Sequence, residues 1–254
     1  MAWLTRGGSD QSRYVMLTLA CRWAAAFGTD QQFTHRHHEE PSDPVPYDGG
    51  HSSRGTGEPV EEEVLIRVEE FRETLSSESS DRRVVDAKIL HGSCFAIRDD
   101  VHYSLKDEIA TEFSLKVHQD IFIVGSAKLG FSISPKKRYR HFGDRSDIDI
   151  AIVSHDLYER IWHETHEYME SGAYWGNRKD FEKYLAWGWI RPDKLPSGPT
   201  FSFTDEWWNF FRSLQQSRKY GPYKIAAAVY HDMSFLTKYQ MSSVAACRSE
   251  EKEE

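Results

Sequence analysis

Two short stretches combine residue types and spacings that can do chemistry: Val124-Gly125-Ser126-Ala127-Lys128-Leu129-Gly130 and Ser146-Asp147-Ile148-Asp149-Ile150. The apolar run Ile121-Phe122-Ile123-Val124 reads as a buried strand that breaks at Gly125-Ser126, with a short helix to follow. Such a turn points backbone N–H groups and a hydroxyl past the strand end, where the helix dipole favours an anion, typically a phosphate. In the second stretch, residues i and i+2 of a strand share a face. Asp147 and Asp149 therefore project together, while Ile148, Ile150 and Ile152 turn to the core. Two carboxylates so placed repel each other unless a cation lies between them. Hard oxygen donors suit Mg²⁺ or Mn²⁺, bound through one or two carboxylates plus substrate phosphates. Such a metal beside a phosphate-binding turn is the arrangement for in-line phosphoryl or nucleotidyl transfer. Lys128, one turn into the following segment, is a secondary phosphate contact on this reading.

Between the two stretches lies a basic insertion, Ser134-Pro135-Lys136-Lys137-Arg138-Tyr139-Arg140-His141-Phe142-Gly143. From Ser134 to Arg145 there are five Lys/Arg against one Asp, a local charge of +4. Neutralising a triphosphate, above all through Lys137 and Arg138, is one reading of it. Contact with a polynucleotide backbone and a plain solvated hairpin are the others.

The apolar residue, the Gly-Ser turn and the strand bearing Asp-x-Asp together resemble the polymerase-β-type nucleotidyltransferase superfamily, over roughly residues 105–165. The resemblance implies that Gly125 and Ser126 contact a nucleoside triphosphate and that Asp147 and Asp149 hold the metals. The implied reaction moves a nucleoside monophosphate from that triphosphate to an acceptor hydroxyl, on a protein or an RNA. It also implies a third carboxylate from a later strand, serving the metal site and the base. Asp232, just past the Tyr223–Tyr230 segment, is one candidate; Asp205 is the other, though it serves equally well as a helix cap. Two features depart from the pattern of the compact bacterial members. The 22 residues from Gly125 to Asp147 make a longer interval, and the later strand carries no acid within it. An inactive nucleotide sensor, a toxin–antitoxin or defence-type partner, and a nucleic-acid-binding module are the alternative functions.

Composition bounds the rest. The 254 residues carry 32 Lys+Arg against 40 Asp+Glu, a net charge of −8, which speaks against a general nucleic-acid coat but not against a local basic site. Cys21, Cys94 and Cys247 are scattered, with no CxxC pair, so a disulfide scaffold or structural zinc site is not expected and a reducing, cytoplasmic setting is. No apolar run is long enough for a membrane span, and Tyr14–Phe27 only faintly resembles a signal peptide. His35-Arg36-His37-His38 lies in a polar tract and reads as solvated. His163-Glu164-Thr165-His166 has the wrong spacing for a zinc peptidase, and no P-loop or Gly-x-Ser-x-Gly elbow occurs.

The elements that must position the chemistry follow from periodicity. Residues 1–60 read as a loose leader. A helix with Val64, Leu65, Val68, Phe71 and Leu75 on its stripe begins near Glu61, and a second starts at Ser104 as N-cap, burying Leu105, Ile109 and Phe113. Ser154 caps a helix after the Asp-x-Asp strand. Helices are expected over Lys179–Trp187, over Glu206–Arg218 behind Asp205, and over Met233–Cys247, with a strand over Tyr223–Tyr230. The aromatic-rich stretches near Trp187–Trp189 and Trp207–Phe211 are expected to be mostly packing. The fold class is α/β or α+β: a nucleotidyltransferase-like mixed sheet flanked by helices over 61–165, then a mainly helical part over 166–254 that closes the cleft and ends in an acidic tail.

Overall fold

The structure, a computed structural model, describes residues 58–143 and 145–251. The expectations for residues 1–57, with Tyr14–Phe27 and His35–His38, and for residues 252–254 lie outside them; Glu58–Val60 of the expected leader and Glu250–Glu251 of the expected tail are helical. The described residues form a mixed α+β fold around one four-stranded sheet of order β1-β2-β4-β3. The strands are β1 (Ile121–Val124), β2 (Asp147–Val153), β3 (Trp189–Ile190) and β4 (Lys224–Tyr230). β1 runs antiparallel to β2, β2 parallel to β4, and β3 antiparallel to β4.

Eight α-helices occur among the described residues. In chain order, α1 (Glu58–Ser77) and α2 (Asp81–Val84) lead into a π-helical turn, Val85–Leu90, and α3 (Asp99–Phe113) precedes β1. The five-residue α4 (Gly125–Leu129) leaves β1, and α5 (His155–Glu170) leaves β2. α6 (Arg178–Ala186) precedes β3, α7 (Ser202–Gln216) precedes β4, and α8 (Met233–Glu251) follows it.

The period-2 pattern of the strands gives the sheet two distinct faces. On one, Ile148, Ile150 and Ile152 are fully buried among Leu105, Ile109 and Phe113 of α3, Ile161 of α5, and Phe203, Trp207 and Phe211 of α7. Full burial of each such side chain is worth roughly 1.5–3 kcal/mol relative to exposure. Aromatic rings cluster in this core where α3 meets α7; Phe113 and Trp207 lie 5.1 Å apart centroid to centroid. On the other face, Val124, Ala151, Ala228 and Tyr230 pack with Val64, Val68, Phe71 and Leu75 of α1, Val84 of α2, Val85 and Ile89 of the π-helical turn, and Leu236 and Val244 of α8. Asp147 and Asp149 share this second face at the open end of β2.

Several elements differ from expectation for readable reasons. α3 begins at Asp99, with two acids in its first turn, so Ser104 is an interior residue whose hydroxyl donates to the Asp100 carbonyl. Leu65 is exposed, since the buried stripe of α1 runs through Val64 instead. α7 begins at Ser202, and Asp205 lies in its first turn without capping it. The Val85–Leu90 turn, which helps fill the second face, and the two-residue β3 have too short a period to stand out. The division at residue 165 falls inside a single sheet, because β4 of the later part lies between β2 and β3. No described helix is long and apolar enough to cross a membrane.

Candidate active site

The pairing register builds the site. Asp149 lies opposite Val124 on one side and Ala226 on the other, and Asp147 lies beside Lys224. The chain then turns directly over the Asp149 carboxylate at Gly125, where φ is +67°. A Cβ at Gly125 would stand 2.9 Å from Asp149 Oδ2. Glycine is thus required twice, for a left-handed backbone and for close approach to the acid. The same turn brings Ser126 to the mouth of the cleft. α4 ends after one turn at Gly130, whose left-handed backbone lets its N–H bond the Ser126 carbonyl.

The cleft has two halves that share Ser126, Ser132 and Asp149. One, of about 560 Å³, is polar and is lined by both aspartates, Ser146, Lys137, Arg140, His141 and Arg145. The other, of about 670 Å³, has apolar walls from Ile89, Val124, Leu129, Ile133, Pro135 and Tyr239, with Gln240 and Ser243 of α8 adding polar groups. The basic insertion is a folded turn: Ser132 N–H donates to the Arg140 carbonyl at 2.9 Å and Tyr139 N–H returns to the Ser132 carbonyl at 2.8 Å. Phe131, Ile133 and Phe142 anchor it in the interior, and part of its charge faces the aspartates.

The electrostatics of the pair follow from this enclosure. Burial first and the Asp147 charge second push the Asp149 carboxyl well above its ordinary range, with Lys137 and Lys224 pulling the other way. Burial also raises Asp147, against Lys224 and Lys137. The donors facing the space between them are hard oxygens held on a rigid strand and on the turn that follows Gly125. Such a set fits a hard divalent ion of the Mg²⁺ or Mn²⁺ class, whose charge would relieve the repulsion.

Of the residues singled out in the sequence, Gly125, Ser126, Lys137, Asp147 and Asp149 come together here. Four others do not. Lys128 is 6% exposed and points out of the cleft, its ammonium donating to the Gly92 carbonyl at 2.5 Å and the Ser93 carbonyl at 2.8 Å. Its role is to fasten the 91–97 loop, and burial lowers its proton affinity. Arg138 lies with its guanidinium over the Tyr139 ring, 5.6 Å from the centroid, and is not among the lining residues. Asp232 follows β4, which is parallel to β2, so it lies at the opposite end of the sheet from Asp147. There the Ser234 hydroxyl first, then His231 and the Ser234 N–H at 2.7 Å, hold its pKa down to about 2. Asp205 belongs to α7, which packs on the other face of the sheet.

Sequence reasoning missed the lining roles of Arg140, Arg145, Tyr239 and Gln240. The two arginines were visible only as part of a charge cluster. Tyr239 and Gln240 belong to a helix whose amphipathic pattern does not reveal what it covers. Compared with protein-family models, with curated proteins and with solved structures, the chain matches none.

Proposed function

We propose that this chain is a Mg²⁺-dependent nucleotidyltransferase, moving a nucleoside monophosphate from a nucleoside triphosphate to an acceptor hydroxyl. The observation that carries the reading is the convergence of Asp147, Asp149 and Ser126 with Lys137, Arg140 and Arg145 on one polar pocket, continuous with an apolar-walled one. Asp147 and Asp149 would hold the metal, which supplies positive charge against the phosphates when bound. The Ser126 hydroxyl and the flanking cations bind and orient the triphosphate. Tyr239, Ile133 and Pro135 offer flat apolar surface to a nucleobase, and Gln240 offers an amide to its edge. The acceptor oxygen then forms a bond to the α-phosphorus as the bond to the pyrophosphate oxygen breaks, and the hydroxyl proton passes to solvent water.

A second reading, a nucleotide-binding chain without turnover, is favoured by the neighbouring strand. On the aspartate face β4 presents Lys224 beside Asp147 and Ala226 beside Asp149, where a third acid would stand. Incubation of the purified full chain with each α-labelled nucleoside triphosphate and Mg²⁺ separates the readings. Label on protein or RNA with pyrophosphate release supports transfer. Saturable nucleotide binding with no pyrophosphate supports the sensor. Salt-dependent RNA binding that needs no nucleotide displaces both.

A further inference from the structure

Among the described residues, one group of three His, Cys, Asp or Glu side chains brings its ligand atoms within 4.8 Å of one another: His155, Glu159 and His231. It lies at the end of the sheet where the parallel strands β2 and β4 finish. His155 is the first residue of α5, after the Ser154 cap, and Glu159 follows one turn later on the same helix face. His231 comes directly after β4. Backbone bonds hold these ends together: Ser154 N–H donates to the Tyr230 carbonyl at 3.1 Å and His231 N–H to the Gly188 carbonyl at 3.0 Å.

The side-chain chemistry is that of a ligand set. His155 Nδ1 lies 3.0 Å from His231 Nε2, and Glu159 Oε1 lies 4.0 Å from that same nitrogen. Three ligands on one Zn²⁺ ion stand about 3.3 Å apart when each bond is about 2.0–2.1 Å. A rotamer adjustment of the half-buried glutamate, whose other oxygen lies 3.6 Å from His163 Nε2, closes the difference. On its other side, His231 Nδ1 faces Asp232 Oδ2 at 3.0 Å, and Asp232 is itself fixed by Ser234 N–H. A carboxylate only accepts, so Nδ1 carries the proton and Nε2 turns its lone pair towards His155 and Glu159. A carboxylate behind a ligating imidazole is the usual support of such a ligand. The Tyr158 and Phe235 rings stand nearly perpendicular to the His231 imidazole, with centroids at 5.0 and 6.0 Å.

Two imidazoles and one carboxylate select a borderline first-row ion over Mg²⁺, which imidazole serves poorly. We propose that His155 Nδ1, His231 Nε2 and a Glu159 oxygen bind one Zn²⁺ ion, with Asp232 orienting His231 and a fourth position open. The competing state is a plain N–H···N hydrogen bond between the two imidazoles, in which Glu159 has no part. The site is independent of the aspartate pair and of its proposed chemistry.

Because His35, His37 and His38 offer a rival ligand tract, the full-length chain carrying Ala at those three positions is the parent for the test. Co²⁺ serves as the visible probe. One equivalent is expected to give the absorption of four-coordinate cobalt, displaced by Zn²⁺ and untouched by excess Mg²⁺. His231→Gln or Glu159→Gln is expected to abolish it, and Asp232→Asn to weaken binding about ten- to a hundredfold. Should His231→Gln fail to fold, His155→Gln, at an exposed position, reads the same ligand set. No cobalt spectrum in the parent, or one that survives loss of either histidine or of Glu159, overturns the site. Unchanged affinity in Asp232→Asn overturns the orienting role.

Discussion

The two ends of the β2–β4 strand pair present ions with opposite surroundings. Where the strands begin, Asp147 and Asp149 offer only carboxylate oxygen, and Lys137, Arg140 and Arg145 line the space around them. Where they finish, His155 and His231 offer imidazole nitrogen, and the adjacent charges are the acids Glu159 and Asp232. Seven strand residues separate the ends, about 20 Å at roughly 3.3 Å per residue. The first end has more cation than a bare metal site needs, so it suits a metal that arrives with an anionic ligand such as a triphosphate. The second is acid-balanced and needs only the ion. On the two proposals, one strand pair would hold two sites that do not compete, because the donor type and the neighbouring charge differ at each end.

The largest effect expected from breaking this contrast is chemical. If the proposed nucleotidyl transfer holds, Asp147→Asn with Asp149→Asn should lower it by at least about a hundredfold while leaving the cobalt absorption proposed for the histidine end intact. Transfer measured by pyrophosphate release that survives both changes removes the aspartate end from the reaction. Next is Gly125→Ala, which forces a side chain into a left-handed backbone and against Asp149 Oδ2. A loss of about 2–3 kcal/mol is expected in urea unfolding; an unaltered midpoint would mean that the turn relaxes away from the acid.

A smaller loss, about 1–2 kcal/mol, is expected for Lys128→Met, because the Gly92 and Ser93 carbonyls lose their donor. Nucleotide affinity per folded molecule should not move, whereas a lysine that touched phosphate would reveal itself as weakened binding. The smallest effect is one of pH. The raised Asp149 carboxyl gives stability that is full below its ordinary value of 3.8 and is lost as pH rises through its folded value. Asp149→Asn should therefore melt higher than the parent at neutral pH without Mg²⁺, with the gap closing as pH falls towards 3.8. A gap of constant size across the titration would show that the carboxyl is not perturbed by the fold.

The aspartate end was legible because everything in it is local. The alternation Asp147-Ile148-Asp149-Ile150 fixes which face each residue takes, and the apolar run into Gly125 fixes where the chain must bend. Strand direction was not legible. Were β4 antiparallel to β2, the residue after it would land beside Asp147; being parallel, it carries Asp232 to the far end. Lys128 misled for a related reason. Its helix is one turn long, and the loop that returns along it, with Phe95 N–H on the Lys128 carbonyl and Ala96 N–H on that of Ala127, supplies the carbonyls that capture the side chain. The histidine end was invisible in sequence because His155 and His231 are 76 residues apart. The pair that drew notice, His163 and His166, lies exposed on the same helix, each near a glutamate one turn away.

The position of β4 between β2 and β3 has a consequence for biosynthesis. Until β4 has been made, β2 is an edge strand, with one row of backbone groups unpaired and Ile148, Ile150 and Ile152 still without α7 above them. The ribosome must add α5, α6, β3 and α7 before the strand that completes the pairing appears. An apolar edge exposed for so long invites pairing with a neighbouring chain. Among the described residues, the stretch that builds the aspartate site is thus an apolar edge that waits for its second partner strand until β4 is made.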